Sequence, residues 1–318
     1  MGKKHVILFA GIFLFCICAF LNSAIHPSVK NLKRIKIIST IFPLMEFAQA
    51  VAGDRGDVEI LLPPGAEIHT WQPRPSDVIK IFGADLFVCV GADLEPWVPG
   101  LLRSAGNTKL RVFKASEGLP VFEESPHDHQ EKHEHADEHD HGALDPHIWL
   151  DFHLDQIIID RLVQVLSEIK PDDAGFFEAS GKAYKENLHL LDQKFYRQLS
   201  GCRQKTFIVG GHSAYGYLAR RYGLHQISLY GLSPDSQPTP REMVEVVQMA
   251  KKLDIRVIFF EENVSDDLAR VIAKEIGART LVLNPAANLT RTQYRGRMTF
   301  LEIMETNLKN LREGLSCE

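Results

Sequence analysis

The chain has 318 residues, of which 45% are hydrophobic and 24% are charged. A chain of this length can bury a substantial core and form two domains of ordinary size. Its formal net charge of −5 gives no basic surface for phosphate backbones, so nucleic acid is not an expected partner.

The N-terminus has the pattern of an export signal. Lys3 and Lys4 precede an apolar run from Val6 to Leu21, and small residues including Ala24 follow. This order predicts a secretory signal peptide over residues 1–24 and a periplasmic mature protein. A retained membrane anchor is the alternative, because the run is slightly long for a signal core.

The next part of the chain alternates short β-branched runs with helical patterns, which predicts an α/β lobe with a parallel sheet over residues 33–150. The predicted strands cover 35–41, 58–62, 86–90 and 110–113, and the predicted helices cover 42–52, 75–83 and 96–104.

A helical region over 151–201 follows, with an apolar stripe at helical spacing from residue 172 to residue 200. A helix of that length spans roughly 40 Å, which favours a rigid connector over a crossover inside one lobe. The helical pattern before it begins at Asp145, which places His147 at a predicted helix start.

Strand and helix patterns alternate again over 202–318, which predicts a second α/β lobe. The predicted strands cover 206–209, 226–230, 257–260 and 280–283, and the predicted helices cover 213–222, 240–253, 265–276 and 292–315. The predicted fold class is therefore α/β, with two parallel-sheet lobes joined by a long rigid helix. A ligand site is expected in the cleft between the lobes, because strand carboxyl ends and their loops face it.

Residues 127–141 form a histidine-rich segment in which imidazoles alternate with acids, Gln and Lys. It has too little apolar surface to fold by itself, and its composition predicts an auxiliary loop that binds metal weakly. A solvated polar insert without a role is the alternative. The predicted auxiliary donors are His127, His129, His133, His135, His139 and His141.

Three isolated histidines outside that segment lie just after predicted strands or at helix starts. They are His69, His147 and His212. Taken singly, each fits a structural or surface role. Taken together, they could converge across the cleft, where three imidazoles would make a zinc-type donor set.

Several longer motifs around these histidines carry a resemblance to a known family. The chain resembles the metal-binding solute-binding proteins of bacterial ABC importers, most closely the ZnuA-like zinc branch. The motifs lie at 62–77, 91–97, 145–151, 212–217 and 231–235.

The resemblance implies two lobes joined by a rigid helix, a metal ion held between them, and delivery to a membrane permease with its cytoplasmic ATPase. It also implies a monomer whose cargo is Zn²⁺. The manganese branch usually has a carboxylate where this chain has His212, which favours zinc.

The sequence departs from the family pattern at the fourth ligand. Asn284 stands where some members have an acid, and an amide oxygen is a poor partner for zinc. A water, Glu67 or Glu262 is the preferred fourth donor, and nearby carboxylates are expected to offset the charge of the metal ion.

Three cysteines follow the signal segment. Cys89 lies in an apolar run and is expected to be a buried thiol. Cys202 and Cys317 lie outside apolar runs and could either pair in an oxidising compartment or remain as two thiols.

Three other functions compete with zinc transport. A manganese or iron carrier and a metal-dependent adhesin both belong to the same family. A zinc hydrolase is the third, because three histidines and a water also form catalytic sites. No H-E-x-x-H motif or Ser/His/Asp signature supports it, so an enzyme is not expected.

Overall fold

A computed structural model of the chain describes residues 33–104, 109–122, 144–232, 238–262 and 266–318. The predicted signal peptide and histidine-rich segment therefore lie outside the described residues. Arg34–Glu318 form one unit that contains two sheets. In the described residues, no helix combines the length and apolar character needed to span a membrane.

The first lobe contains a parallel sheet of four strands in the order β2-β1-β3-β4. The strands are β1 (Ile35–Ser39), β2 (Gly56–Ile60), β3 (Leu86–Cys89) and β4 (Arg111–Lys114), and the helices are α1 (Phe42–Ala52), α2 (Pro75–Phe82) and α3 (Val98–Ser104). All four residues of β3 are buried, as expected for a central strand covered on both faces.

Two helices connect the lobes, α4 (Phe152–Ile169) and α5 (Ala174–Ser200). The 27 residues of α5 give a length of roughly 40 Å at 1.5 Å per residue. Its buried stripe of Phe177, Leu188, Leu191, Phe195 and Leu199 follows the helical repeat and packs in one core cluster with residues of both sheets. The long predicted connector is therefore present, and it is anchored along most of its length.

The second lobe repeats the architecture of the first, with strand order β6-β5-β7-β8 and all pairs parallel. Its strands are β5 (Thr206–Val209), β6 (His225–Ser228), β7 (Val257–Phe260) and β8 (Arg279–Val282). Its helices are α6 (Gly216–Arg221), α7 (Pro240–Lys252), α8 (Asp267–Ile276), α9 (Arg291–Gly296) and α10 (Phe300–Gly314). The predicted fold class is confirmed.

Two helix predictions need correction. The chain does not run as one helix from Asp145 into α4: His147 precedes a short 3-10 helix (Ile148–Leu150). Helix α4 begins only after Asp151, whose carboxylate accepts hydrogen bonds from the backbone N–H groups of His153 and Leu154. The predicted final helix over 292–315 is two helices, because Arg297 has a left-handed φ of 55° and Thr299 opens a new capping box.

Cys202 and Cys317 form a disulfide in this structure. The bond joins the residue just after the end of α5 to the C-terminal residues that follow α10, across a sequence separation of 115 residues. Cys89 is a free, buried thiol, and burial raises its pKa.

Asp155 on α4 is fully buried, and neither carboxylate oxygen has a hydrogen-bond partner among the described residues. Burial, reinforced by the charge of Asp151, raises its pKa well above the ordinary value of 3.8. The folded state therefore binds more protons than the unfolded state, and the contribution of Asp155 to stability falls as pH rises through its folded pKa.

We expect the free energy of unfolding of Asp155→Asn to exceed that of the parent increasingly as pH rises from about 4 to about 8. Urea titrations across that range measure it. Asp160→Asn, at an exposed position on the same helix, is the control and should track the parent. If the free energies of unfolding of Asp155→Asn and the parent change equally with pH, the raised pKa of Asp155 is contradicted.

Candidate metal centre

His69 and His212 lie in loops that follow strands, His147 lies just before a 3-10 helix, and the structure brings all three together. His69 lies in the loop after β2, His147 in the segment between β4 and α4, and His212 in the loop after β5. One donor nitrogen from each lies within 4.8 Å of the others. Two candidate ligands thus come from the first lobe and one from the second.

His147 and His212 are the closest pair, with their Nε2 atoms 3.1 Å apart. They are 1% and 3% exposed, whereas His69 is partly buried. The ring of His69 packs against both, at centroid distances of 5.5 Å to His147 and 5.3 Å to His212.

Each of the two buried histidines is oriented by one carboxylate oxygen that accepts two hydrogen bonds. Asp145 Oδ1 accepts from the backbone N–H of His147 at 3.0 Å and from its Nδ1 at 2.8 Å. Glu261 Oε1 does the same for His212, at 3.0 Å and 2.8 Å. Because Nδ1–H donates to a carboxylate, each Nε2 is directed into the cluster, as in many metal sites.

The backbone around His212 is shaped for this contact. A Cβ atom on Gly211 would lie only 2.2 Å from Glu261 Oε1. A side chain at this position would therefore displace the carboxylate that orients His212. This glycine thus permits the close approach of Glu261, which follows β7.

The three histidines differ in their affinity for protons. Burial, helped by the neighbouring His147 and His212, lowers the pKa of His69 to about 2. Burial also disfavours charge on His212, but the charge and hydrogen bond of Glu261, with Glu67 and Asp145, outweigh it and raise its pKa above 6.5. A falling pH therefore places a proton on His212 well before His69.

The candidate fourth donors lie in different surroundings. Glu67 is partly buried, accepts a hydrogen bond from the backbone N–H of His69 at 3.2 Å, and is close enough for its charge to act on His212. Burial raises its own pKa. Asn284 donates to Glu262 Oε2 at 2.7 Å, and its Oδ1 accepts from the N–H of Ala286 at 2.7 Å.

Glu262 also accepts a hydrogen bond from Gln293 at 2.5 Å, so its carboxylate is engaged with Asn284 and Gln293. In the described part of the chain, no carboxylate oxygen lies within 4.8 Å of all three donor nitrogens. Of the three candidates, Glu67 is best placed to contribute negative charge to the cluster. The six auxiliary histidines lie outside the described residues.

Sequence reasoning did not identify Asp145 and Glu261 as partners of the histidines. Asp145 could have been found, because an acid two residues before a histidine can accept a hydrogen bond from its ring. Glu261 could not, because its role depends on the pairing of β5 with β7, which places Glu261 beside His212.

Glu261→Gln tests the orienting role of this carboxylate. Glutamine keeps an acceptor for Nδ1–H but removes the charge, so zinc affinity should fall about tenfold, the lower end of losses for such partners. Competition titration with a zinc chelator measures it. Glu262→Gln is the matched control and should bind like the parent; an equal loss in both variants would contradict a specific role for Glu261.

Comparisons with known proteins agree with this geometry. The family model described as ZnuA, zinc-uptake complex component A, periplasmic, matches residues 37–314. The high-affinity zinc uptake system protein ZnuA of Bacillus subtilis is 35% identical over 312 residues, which cover 96% of this chain and 97% of that protein.

The zinc-binding lipoprotein AdcA of Streptococcus pneumoniae is 36% identical over 305 residues, which cover 94% of this chain but 60% of AdcA. The chain thus spans little more than half the length of this relative. The crystal structure of the Zn(II)-bound ZnuA-like domain of AdcA is 35% identical with a TM-score of 0.75, covering 89% of this chain and 99% of that domain.

The laminin-binding protein Lmb of Streptococcus agalactiae also shares the fold, with 29% identity and a TM-score of 0.77 over 88% of this chain and 99% of Lmb. Lmb is described as a bifunctional protein with adhesin and metal-transporting activity.

Proposed function

Because this chain belongs to the ZnuA family, we propose that it is an extracytoplasmic solute-binding protein that captures Zn²⁺ and delivers it to the permease of an ABC importer. The observation that carries the proposal is the meeting of three imidazoles from two lobes, with donor nitrogens within 4.8 Å of one another. The zinc-binding relatives support the same cargo.

In this proposal His69, His147 and His212 are the metal ligands. Nitrogen donors of a tetrahedral zinc ion, each about 2.0–2.1 Å from the metal, lie roughly 3.4 Å from one another. Small ring movements within the 4.8 Å group would reach this spacing. The buried Nε2 of His69, which has no hydrogen-bond partner among the described residues, would gain one in the metal ion.

The donor set favours zinc over manganese, because nitrogen ligands suit zinc whereas manganese prefers oxygen. Manganese or iron remains the alternative cargo. Copper and nickel would bind three imidazoles at least as tightly, so selection of zinc depends on geometry and on metal supply. Glu67 or a water molecule completes the coordination, and Glu67 would also offset the charge of the ion.

Membership of the family supports an ABC importer as the partner. The protein would act as a periplasmic monomer, release zinc to a permease that is coupled to a cytoplasmic ATPase, and use the loop 127–141 as a weak auxiliary site. In this proposal the mature protein would follow a signal peptide over 1–24, and would consist of a first lobe over 33–150, a helical region over 151–201 and a second lobe over 202–318.

Two other activities deserve a direct comparison with transport. A hydrolase would use a zinc-bound water at the same three histidines, but the family is one of transport components. Adhesion is described for Lmb together with metal transport, so it would accompany metal binding and would not replace it.

Metal titration of the untagged mature protein tests the proposal. We expect one tight zinc equivalent, weaker sites in addition, and a preference for zinc over manganese. Incubation of the zinc-loaded protein with ester and phosphoester substrates should give no turnover. Absence of a tight zinc site would overturn the proposal, and zinc-dependent turnover would favour the hydrolase.

A further inference from the structure

The segment Asn284–Leu289, which we call the bridging loop, leaves β8 in the second lobe and forms hydrogen bonds with the first lobe. The carbonyl of Ala287 accepts from the N–H of Phe42 at 3.0 Å, and that of Leu289 accepts from the N–H of Gly65 at 2.8 Å. The carbonyl of Pro285 accepts from Trp149 Nε1 at 2.7 Å. The bridging loop is therefore fixed to both first-lobe segments that carry a metal ligand.

Asn288 makes the side-chain part of this connection. It is 5% exposed, and its Nδ2 donates to two backbone carbonyls, those of Pro63 at 2.7 Å and Ala66 at 2.9 Å. Its Oδ1 accepts from the N–H of Leu289 at 2.8 Å. One amide group thus satisfies three backbone groups, two of which belong to the other lobe.

The two carbonyls lie at the ends of a turn in which the N–H of Ala66 donates to Pro63 at 2.9 Å. This turn leads directly into Glu67 and His69. A side chain that holds both ends of the turn fixes the point from which the chain continues to the ligand. The position of His69 therefore depends on a contact made by the second lobe.

His69 needs such support more than the other two ligands. Carboxylates hold the rings of His147 and His212 through Nδ1, whereas the His69 contact with Glu67 is made by its backbone N–H. Its ring nitrogen Nε2 is buried without a hydrogen-bond partner among the described residues. Its placement is thus set mainly by the backbone of its own loop.

We propose that Asn288 is a positioning residue for His69, and that it slows zinc release by holding the Pro63–Ala66 turn in the ligand-bearing conformation. This inference rests on the proposed function of the histidine cluster. An amide is required because the turn offers two acceptors at once: a carboxylate at this position could donate to neither, and a methyl group would leave both carbonyls without this partner.

The experiment is a double-mutant cycle of Asn288→Ala and His69→Ala, with zinc affinity from chelator competition and release rate from mixing with excess chelator. In the parent background, Asn288→Ala should weaken zinc binding about tenfold, mostly through faster release. In the His69→Ala background, the same change should alter affinity less than about twofold, because its effect acts through His69.

Asn288→Asp provides a second variant if Asn288→Ala folds poorly, because it keeps the acceptor for Leu289. The effect of its added charge is largely common to both backgrounds and cancels in the cycle. Asn310→Ala is the matched control, since Asn310 also donates from Nδ2 to a backbone carbonyl, that of Val282 at 2.8 Å. It should lower the thermal unfolding midpoint without changing zinc affinity.

The outcomes separate the two proposals. A parent protein that does not bind zinc contradicts the proposed function itself. A parent that binds zinc, with Asn288 variants that match it or lose equal affinity in both backgrounds, overturns the positioning role alone. If the Asn288 variants lose zinc affinity only in the background that retains His69, the positioning role of Asn288 is supported.

Discussion

His212→Ala should reduce zinc affinity by more than about 100-fold, beyond the 10–100-fold losses typical of residues that only support a ligand. His212 is the second lobe's only contribution to the three-nitrogen group, so its loss removes the connection between lobes as well as one donor. Its partner Glu261, 3% exposed, would also remain as a buried charge without its imidazole. Chelator competition measures the loss.

Two controls make this result specific. His225→Ala removes an exposed histidine of the same lobe and should bind zinc like the parent. Deletion of residues 127–141 should remove only weak extra equivalents and leave the tight site intact. If the deletion costs as much affinity as His212→Ala, the tight site belongs to the histidine-rich segment and the assignment to the cluster is wrong.

Zinc affinity should fall as pH drops through the pKa of His212, by up to about tenfold per pH unit, because one proton on His212 competes with the metal. The pKa of His212 is raised above 6.5, chiefly by Glu261 acting against burial. A proton on its Nε2 can bridge to His147 Nε2 at 3.1 Å, the place a metal ion would take. His69, with a pKa of about 2, stays neutral and adds nothing to the slope.

Zinc affinity should therefore be lower at about pH 5.5 than at about pH 7.5, by at most roughly 100-fold for a single competing proton. Glu261→Gln supplies the control, because removal of the charge lowers the pKa of His212 and should flatten the dependence. Equal affinities of the parent at both values would show that no titrating imidazole binds the metal.

The fold was predictable from sequence because its signals are local. Short β-branched runs alternate with amphipathic segments, and the stripe from Phe177 to Leu199 identifies α5 without any knowledge of its partners. The two helix predictions that needed correction lie where a helix cap interrupts the apolar pattern of the sequence. Thr299 divides the last helix by its capping box with Glu302, and Asp151 delays the start of α4 past His147.

His69 and His212 could be selected because each follows a strand, and parallel strands present their carboxyl ends on one side of the sheet. His147 could be selected because it lies at a predicted helix start. Residues that support them could not be selected in the same way. Glu261 is paired with His212 by the adjacency of two strands, and Asn288 reaches Pro63 across more than 200 positions of sequence. Such contacts depend on tertiary structure and have no local pattern.

One zinc ion should be shared by three histidines from the two lobes. This arrangement can be observed in a crystal of the protein loaded with one zinc equivalent and measured on both sides of the zinc absorption edge. We expect a single anomalous peak about 2.0–2.1 Å from a ring nitrogen of each of His69, His147 and His212. A main peak elsewhere, or one beyond bonding distance of any of these rings, would contradict it.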